Sequence, residues 1–221
     1  YTGPMYEKYN TVLRAVSGEP RFVWKAARLC EGNSYQSTIH AINSCVVKLS
    51  KLGVASTVWR GLQGARLPRC FITKCEFEFA GGVEYGFLST STEQSRAMAY
   101  AAGGKAPTLM RMSQGMINRG ADISWLSQFP EEQEVLFPPL LGLEARHIHT
   151  DGAQLMLDVG ISVNLRAPTL EQVVSRRRKI VQDMCYGMTL ELTNELRGEP
   201  SRWNTLREVV PPWEELRRLA L

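Results

Sequence analysis

The sequence predicts an α+β protein: helices first, then strands with short helical insertions, then one long helix. Two observations carry this. Apolar residues recur at helical spacing through the first quarter of the chain, and at Gly53 the pattern changes to short apolar and β-branched runs bounded by turn residues. Regular strand–helix–strand repeats are absent, so a doubly wound sheet is not expected. We read the chain as one domain in three parts: a helical segment 1–53, a β core 54–163, and a helix with a tail over 164–221.

Each element follows from local chemistry. Tyr6, Tyr9, Val12, Leu13 and Val16 share a helix face, and Gly18 with Pro20 ends that run. Residues 20–32 suit a second short helix. Ile39, Ile42, Val46 and Leu49 mark a third, with Asn33 or Ser34 as its cap and Gly53 as its stop. Strands are expected over 54–62, 70–79, 84–91, 108–112, 135–137, 142–148 and 153–163, with a turn at Asp151-Gly152. Thr92 suits the N-cap of a short helix reaching Ala101, and 103–105 reads as a flexible loop. Trp125, in the turn-rich 119–132, reads as buried. Thr169 and Gln172 form a capping box for the long helix, whose apolar face carries Leu170, Val173, Val174, Ile180, Val181, Met184 and Met188. Arg176-Arg177-Arg178-Lys179 on that helix reads as a solvated surface.

Composition narrows the function. An apolar fraction of 44% and a charged fraction of 22% are those of a globular protein. The net charge of +4 comes without a basic stripe interleaved with aromatics, so no nucleic-acid partner is predicted. No apolar run approaches the roughly 20 residues of a membrane span, so no membrane partner is predicted either. Five cysteines without a C-x-x-C pair argue for reduced thiols, and His147 with His149 supplies two metal ligands at most, so no metal is expected. The odd cysteine count and the lack of a visible signal peptide favour an intracellular setting. The glycine patterns of dinucleotide-binding and P-loop folds are missing.

The chemistry concentrates at three strand ends. Arg60 precedes Gly61. Ser89-Thr90-Ser91 ends a strand holding Tyr85 and Phe87. Glu131, Glu132 and Glu134 precede the apolar run 135–137, which Pro138-Pro139 closes. Strand alternation would point Glu132 and Glu134 the same way, and Val135 with Phe137 the opposite way, towards a core. Carboxylates crowded on one face repel each other. They are kept where they bind a cation, stabilise a cationic transition state, or divide acid and base roles; a solvated acidic turn is the plain alternative.

Taken together, these motifs resemble the mono-ADP-ribosyltransferases of the arginine–serine–glutamate class, which include clostridial and cholera-like toxins and the vertebrate arginine-directed ecto-enzymes. The matching residues are Val58-Trp59-Arg60-Gly61, Gly86-Phe87-Leu88-Ser89-Thr90-Ser91, and Phe129-Pro130-Glu131-Glu132-Gln133-Glu134. Tyr1, Tyr6, Asn10 and Arg14 also look like the helix preceding the core of the vertebrate enzymes. The resemblance covers about residues 1–163 and leaves the last helix and tail unexplained. It implies the ADP-ribosyltransferase fold: amino-terminal helices, then a split β-sandwich around an NAD cleft, here with an extra carboxy-terminal helix.

The resemblance also implies roles. NAD would be the co-substrate, and a protein with an exposed arginine the acceptor. Glu134 would hold the ribose and stabilise its developing charge, and Glu132 would orient and deprotonate the acceptor. Ser89 would hold Glu134, while Thr90 and Ser91 would shape the nicotinamide pocket. Arg60 would pair with the NAD phosphates, and the Gly61 backbone would meet the nicotinamide amide. Phe129 would touch the acceptor side, and Arg96 and Lys105 would be candidates for further phosphate contacts. The same residues also suit an NAD glycohydrolase with water as acceptor. A third alternative is a non-enzymatic module that binds NAD or protein.

Overall fold

A computed structural model describes residues 1–197 except 64–66, 77, 104–106, 153 and 165–167. The chain divides into two compact units, Tyr1–Leu170 and Glu171–Leu221. The first holds the helices α1 (Tyr6–Ala15), α2 (Pro20–Cys30) and α3 (Gln36–Leu49), the last followed by a 3₁₀ turn Ser50–Leu52. Pro20 sits where its missing N–H costs nothing, at the first turn of α2. The predicted cap of α3 is corrected: Tyr35, in the left-handed region, precedes the helix, and the Asn33 side chain accepts the Tyr35 N–H instead.

The strands are β1 (Thr57–Leu62), β2 (Gly81–Glu84), β3 (Leu88–Ser91), β4 (Thr108–Ser113), β5 (Ala121–Asp122), β6 (Glu134–Phe137), β7 (Leu141–Asp151) and β8 (Gln154–Ser162). They pair in the order β2-β7-β8-β4-β1-β3-β6-β5. β1 meets β4 over six residue pairs but meets β3 at one, Trp59 opposite Ser91. The ladder therefore parts into a five-strand and a three-strand half at a single rung. This is the split core that the resemblance implied.

Two expected strands differ. The described residues of 70–79 form no strand; α4 (Arg69–Ile72) turns there and buries Phe71, and a helix of one turn has no period to betray it. The expected strand 84–91 is broken in two, because α1 intercepts it. Asn10 accepts the Phe87 N–H, and the Arg14-paired Glu84 carboxylate accepts the Gly86 N–H. Backbone groups engaged by side chains cannot pair in a ladder. As a result β2 lies at one edge of the sheet and β3 beside the seam.

β6 is buried on both faces. Val135 and Phe137 enter one apolar cluster with Val58, Met112, Leu141 and Leu157, while Leu136 enters a second with Val46, Phe87 and Ile123. Short strands with both faces covered read as continuous apolar runs, and this one does. The helix α5 (Gln94–Ala101) packs on β1. Its N-cap is Glu93 rather than the expected Thr92, without a side-chain cap bond, and the Ser91 hydroxyl accepts the Glu93 N–H at 3.0 Å just ahead of the helix. Trp125 is 68% exposed, against expectation. In the second unit, α6 (Leu170–Arg197) begins one residue after the predicted cap Thr169. Lys105 and the tail beyond 197 lie outside the described residues.

Candidate active site

The parted ladder opens into a cleft of about 680 Å³. β1 contributes Arg60 and Gly61, β3 Ser89, Thr90 and Ser91, and β6 Glu134. α1 contributes Tyr6, Asn10 and Arg14, α5 contributes Arg96 and Tyr100, and the loop before β6 contributes Phe129, Glu131 and Glu132. Every candidate named from the sequence and lying in the described residues thus lines one cavity.

Glu134 is 6% exposed, and the Ser89 hydroxyl hydrogen-bonds its carboxylate. Burial pushes this carboxyl above its ordinary range. The Ser89 bond and nearby Arg60 oppose that shift, and the charge of Glu132 adds to it. The two acids are not both strand residues, which corrects the alternation argument. Glu132 closes a 3₁₀ turn, Pro130–Glu132, and Gln133 at φ 47° reverses the chain before β6 begins. The loop is pinned on both sides. The Ser91 hydroxyl donates to the Glu132 carbonyl, the Thr92 N–H to the Gln133 carbonyl, and the Ile123 N–H to the Glu134 carbonyl. A buried acid and an exposed acid are therefore held two residues apart.

Arg60 is half-buried, and its guanidinium donates to the Ser89 carbonyl across the seam. Burial pulls its pKa below the ordinary value, and Glu84 pulls it back up. A carbonyl partner leaves the positive charge available to an anion. Gly61 has a further reason to be glycine. A Cβ there would sit 2.0 Å from the Ala97 carbonyl, so α5 approaches the strand only because no side chain intervenes. Thr90 is buried, and its hydroxyl donates to the Val135 carbonyl, which ties β3 to β6.

α1 closes one wall. Arg14 pairs with Glu84 through both nitrogens, at 2.9 and 3.1 Å. Asn10 donates to the Tyr1 hydroxyl, and burial pushes that phenol up to about 12, so it stays neutral. Tyr6, Asn10 and Arg14 sit at i, i+4 and i+8, a polar line along one helix face. In the sequence these three stood out through the resemblance at the chain's start. For Tyr100, which also lines the cleft, the sequence offers no comparable sign.

The family model described as ADP-ribosyltransferase exoenzyme matches residues 1–151, and the chain belongs to that family. Among solved structures, the chain is similar to the ADP-ribosyltransferase HopU1 of Pseudomonas syringae pv. Tomato DC3000. The identity is 24% over 72% of this chain and 66% of that one, with a TM-score of 0.55. It is also similar to Vis toxin from Vibrio splendidus, at 21% identity over 74% of this chain and 70% of that one, with a TM-score of 0.51. Vis in complex with agmatine matches at 22% identity, over 75% and 72%, with a TM-score of 0.53. These likenesses are of fold, and the chain spans about two thirds of HopU1's length. No curated protein sequence matches.

Proposed function

We propose that the cleft binds NAD and transfers its ADP-ribose to an arginine of an acceptor protein, releasing nicotinamide. One observation carries this reading: a buried carboxylate held by a serine hydroxyl, Glu134 with Ser89, faces the same cavity as Arg60 and a second acid, Glu132. Breaking the bond between nicotinamide and ribose leaves an oxocarbenium-like sugar. A fixed carboxylate in a water-poor site stabilises that charge without reorganising. Glu134 fits that role and the hydrogen bond to the ribose. Its raised pKa reflects a charge disfavoured until a cation appears beside it.

Arg60 suits the diphosphate, since its guanidinium presents forked donors and, among the described residues, is bonded to the Ser89 carbonyl rather than to a carboxylate. Arg96 is a second candidate on the α5 side. Thr90 and Ser91 shape the nicotinamide end by fixing the β3 backbone, and the Gly61 backbone meets the carboxamide. Glu132, exposed at the rim beside Phe129, receives the acceptor. A guanidinium attacks only as it loses a proton, so the acid that binds it also takes the proton as the new C–N bond forms.

Agmatine, a small guanidinium compound, is the first acceptor to try. Labelled NAD with agmatine should give labelled ADP-ribosyl-agmatine and free nicotinamide in equal amounts. Nicotinamide release without labelled agmatine or labelled protein in a lysate would favour water as the acceptor. NAD binding without nicotinamide release would reduce the protein to a binding module.

A further inference from the structure

Away from the cleft, two neighbouring loops carry four aliphatic side chains into solvent. Leu52 and Val54, between α3 and β1, are 81% and 82% exposed; Met116 and Ile117, between β4 and β5, are 85% and 67% exposed. The loops are not loose. Arg119 donates to the Lys51 and Gly53 carbonyls at 3.0 and 2.8 Å. Gln114, itself buried, donates to the Ser56 hydroxyl, accepts the Gly120 N–H, and gives its own N–H to the Ser56 carbonyl. The Gly115 N–H closes the turn on the Asn118 carbonyl, and Asn118 accepts the Val163 N–H. A firmly bonded polar base thus holds four apolar tips outward, an arrangement that costs solubility and gives the fold nothing.

Neither loop carries an acidic residue. No Asp or Glu lies between Glu31 and Glu76, nor between Glu93 and Asp122, and both loops fall inside those stretches. Lys51 and Arg119 are the charged residues within the loops; among the described residues Arg119 is bonded to the Lys51 and Gly53 carbonyls, and Asp122 follows on β5. Arg146, loosely paired with Glu144, shares a shallow depression with Met116 and Ile117.

We infer that these loops dock the protein peripherally on an anionic lipid surface, with Leu52, Val54, Met116 and Ile117 entering the headgroup layer and the cations meeting lipid phosphates and carboxylates. The chemistry favours lipid over the other partners. A nucleic-acid surface wants stacking aromatics, and the tips have none. Protein interface centres favour Tyr, Trp, Met and Arg, and of the four tips only Met116 is among these. Aliphatic tips with a cationic collar match the two attractions of an anionic bilayer, apolar burial and surface potential. Such contact is surface docking; among the described residues no helix is long and apolar enough to span.

The test is vesicle sedimentation of the full chain. Vesicles of equal phosphatidylcholine and phosphatidylserine should carry the protein down, phosphatidylcholine alone should not, and added salt should weaken the binding. Met116→Asp with Ile117→Asp should lower the affinity by about tenfold or more, and Lys51→Glu by a smaller factor. Melting temperature and NAD turnover of each variant should stay at the parent value, which separates lost docking from lost folding. Absence of sedimentation with anionic vesicles, equal binding to neutral ones, or parent-like binding by the double aspartate variant would each overturn the inference. So would retention by a protein surface through these residues without any vesicle binding.

Discussion

Glu134→Gln separates catalysis from stability. The substitution keeps the shape and the Ser89 contact but removes the charge. If the carboxylate stabilises the sugar cation, its loss costs about 2–4 kcal/mol, as removal of a fixed transition-state partner does. That is about 30- to 1,000-fold in turnover. Stability should move the other way. The folded carboxyl titrates above its unfolded value because it is buried. Its contribution is therefore fully present below the unfolded pKa of 4.5 and is lost as pH rises through the higher folded value. Glutamine has no such loss. The variant should melt at the parent temperature in acid, below the unfolded pKa, and above it at pH 7. Nicotinamide release from labelled NAD, and melting curves across pH, read the two effects separately. Turnover near the parent value at pH 7, or a variant that melts lower there than the parent, would refute the reasoning.

Three further outcomes follow from the same geometry. Glu132→Gln should abolish transfer to agmatine while leaving much of the NAD hydrolysis; equal loss of both would show that the acids do not divide the work. Glu84→Gln should destabilise by about 1–3 kcal/mol, because it strands the half-buried Arg14 guanidinium. Burial raises the Glu84 carboxyl, but its bonds to Arg14 and Gly86 together hold it below the ordinary value. Its stabilising effect is therefore present above the unfolded pKa of 4.5 and lost as pH falls through the lower folded value, so parent and variant melting temperatures should converge in acid. Gly61→Ala should drive α5 off β1, costing about 1–3 kcal/mol, read as a lower melting temperature together with weaker NAD binding.

How much of this was legible along the chain depended on where the deciding contacts lay. The helices α1 to α3 and the β7–β8 hairpin show their period and their punctuation locally, at Gly18, Pro20, Gly53 and Asp151-Gly152. The break between β2 and β3 does not. It is made by Asn10, 77 residues before the Phe87 amide it captures, and nothing near Phe87 announces it. β5 is two residues long, too short for alternation to be seen. The chemistry of the cleft was legible as residue types at strand ends, Arg60, Ser89 and Glu134. The reason Glu132 joins them was not, because a left-handed Gln133 replaces the strand geometry the spacing suggested.

The seam between β1 and β3 bears on how any substitution at Arg60 is understood. With one rung joining the strands, the guanidinium bonded to the Ser89 carbonyl acts as a strut between the two walls as well as a positive charge in the cavity. Removing it slackens the walls and takes away the anion's partner at once. Lysine restores the charge without the fork, so comparing Arg60→Lys with Arg60→Ala in both NAD affinity and melting temperature divides the mechanical share from the electrostatic one.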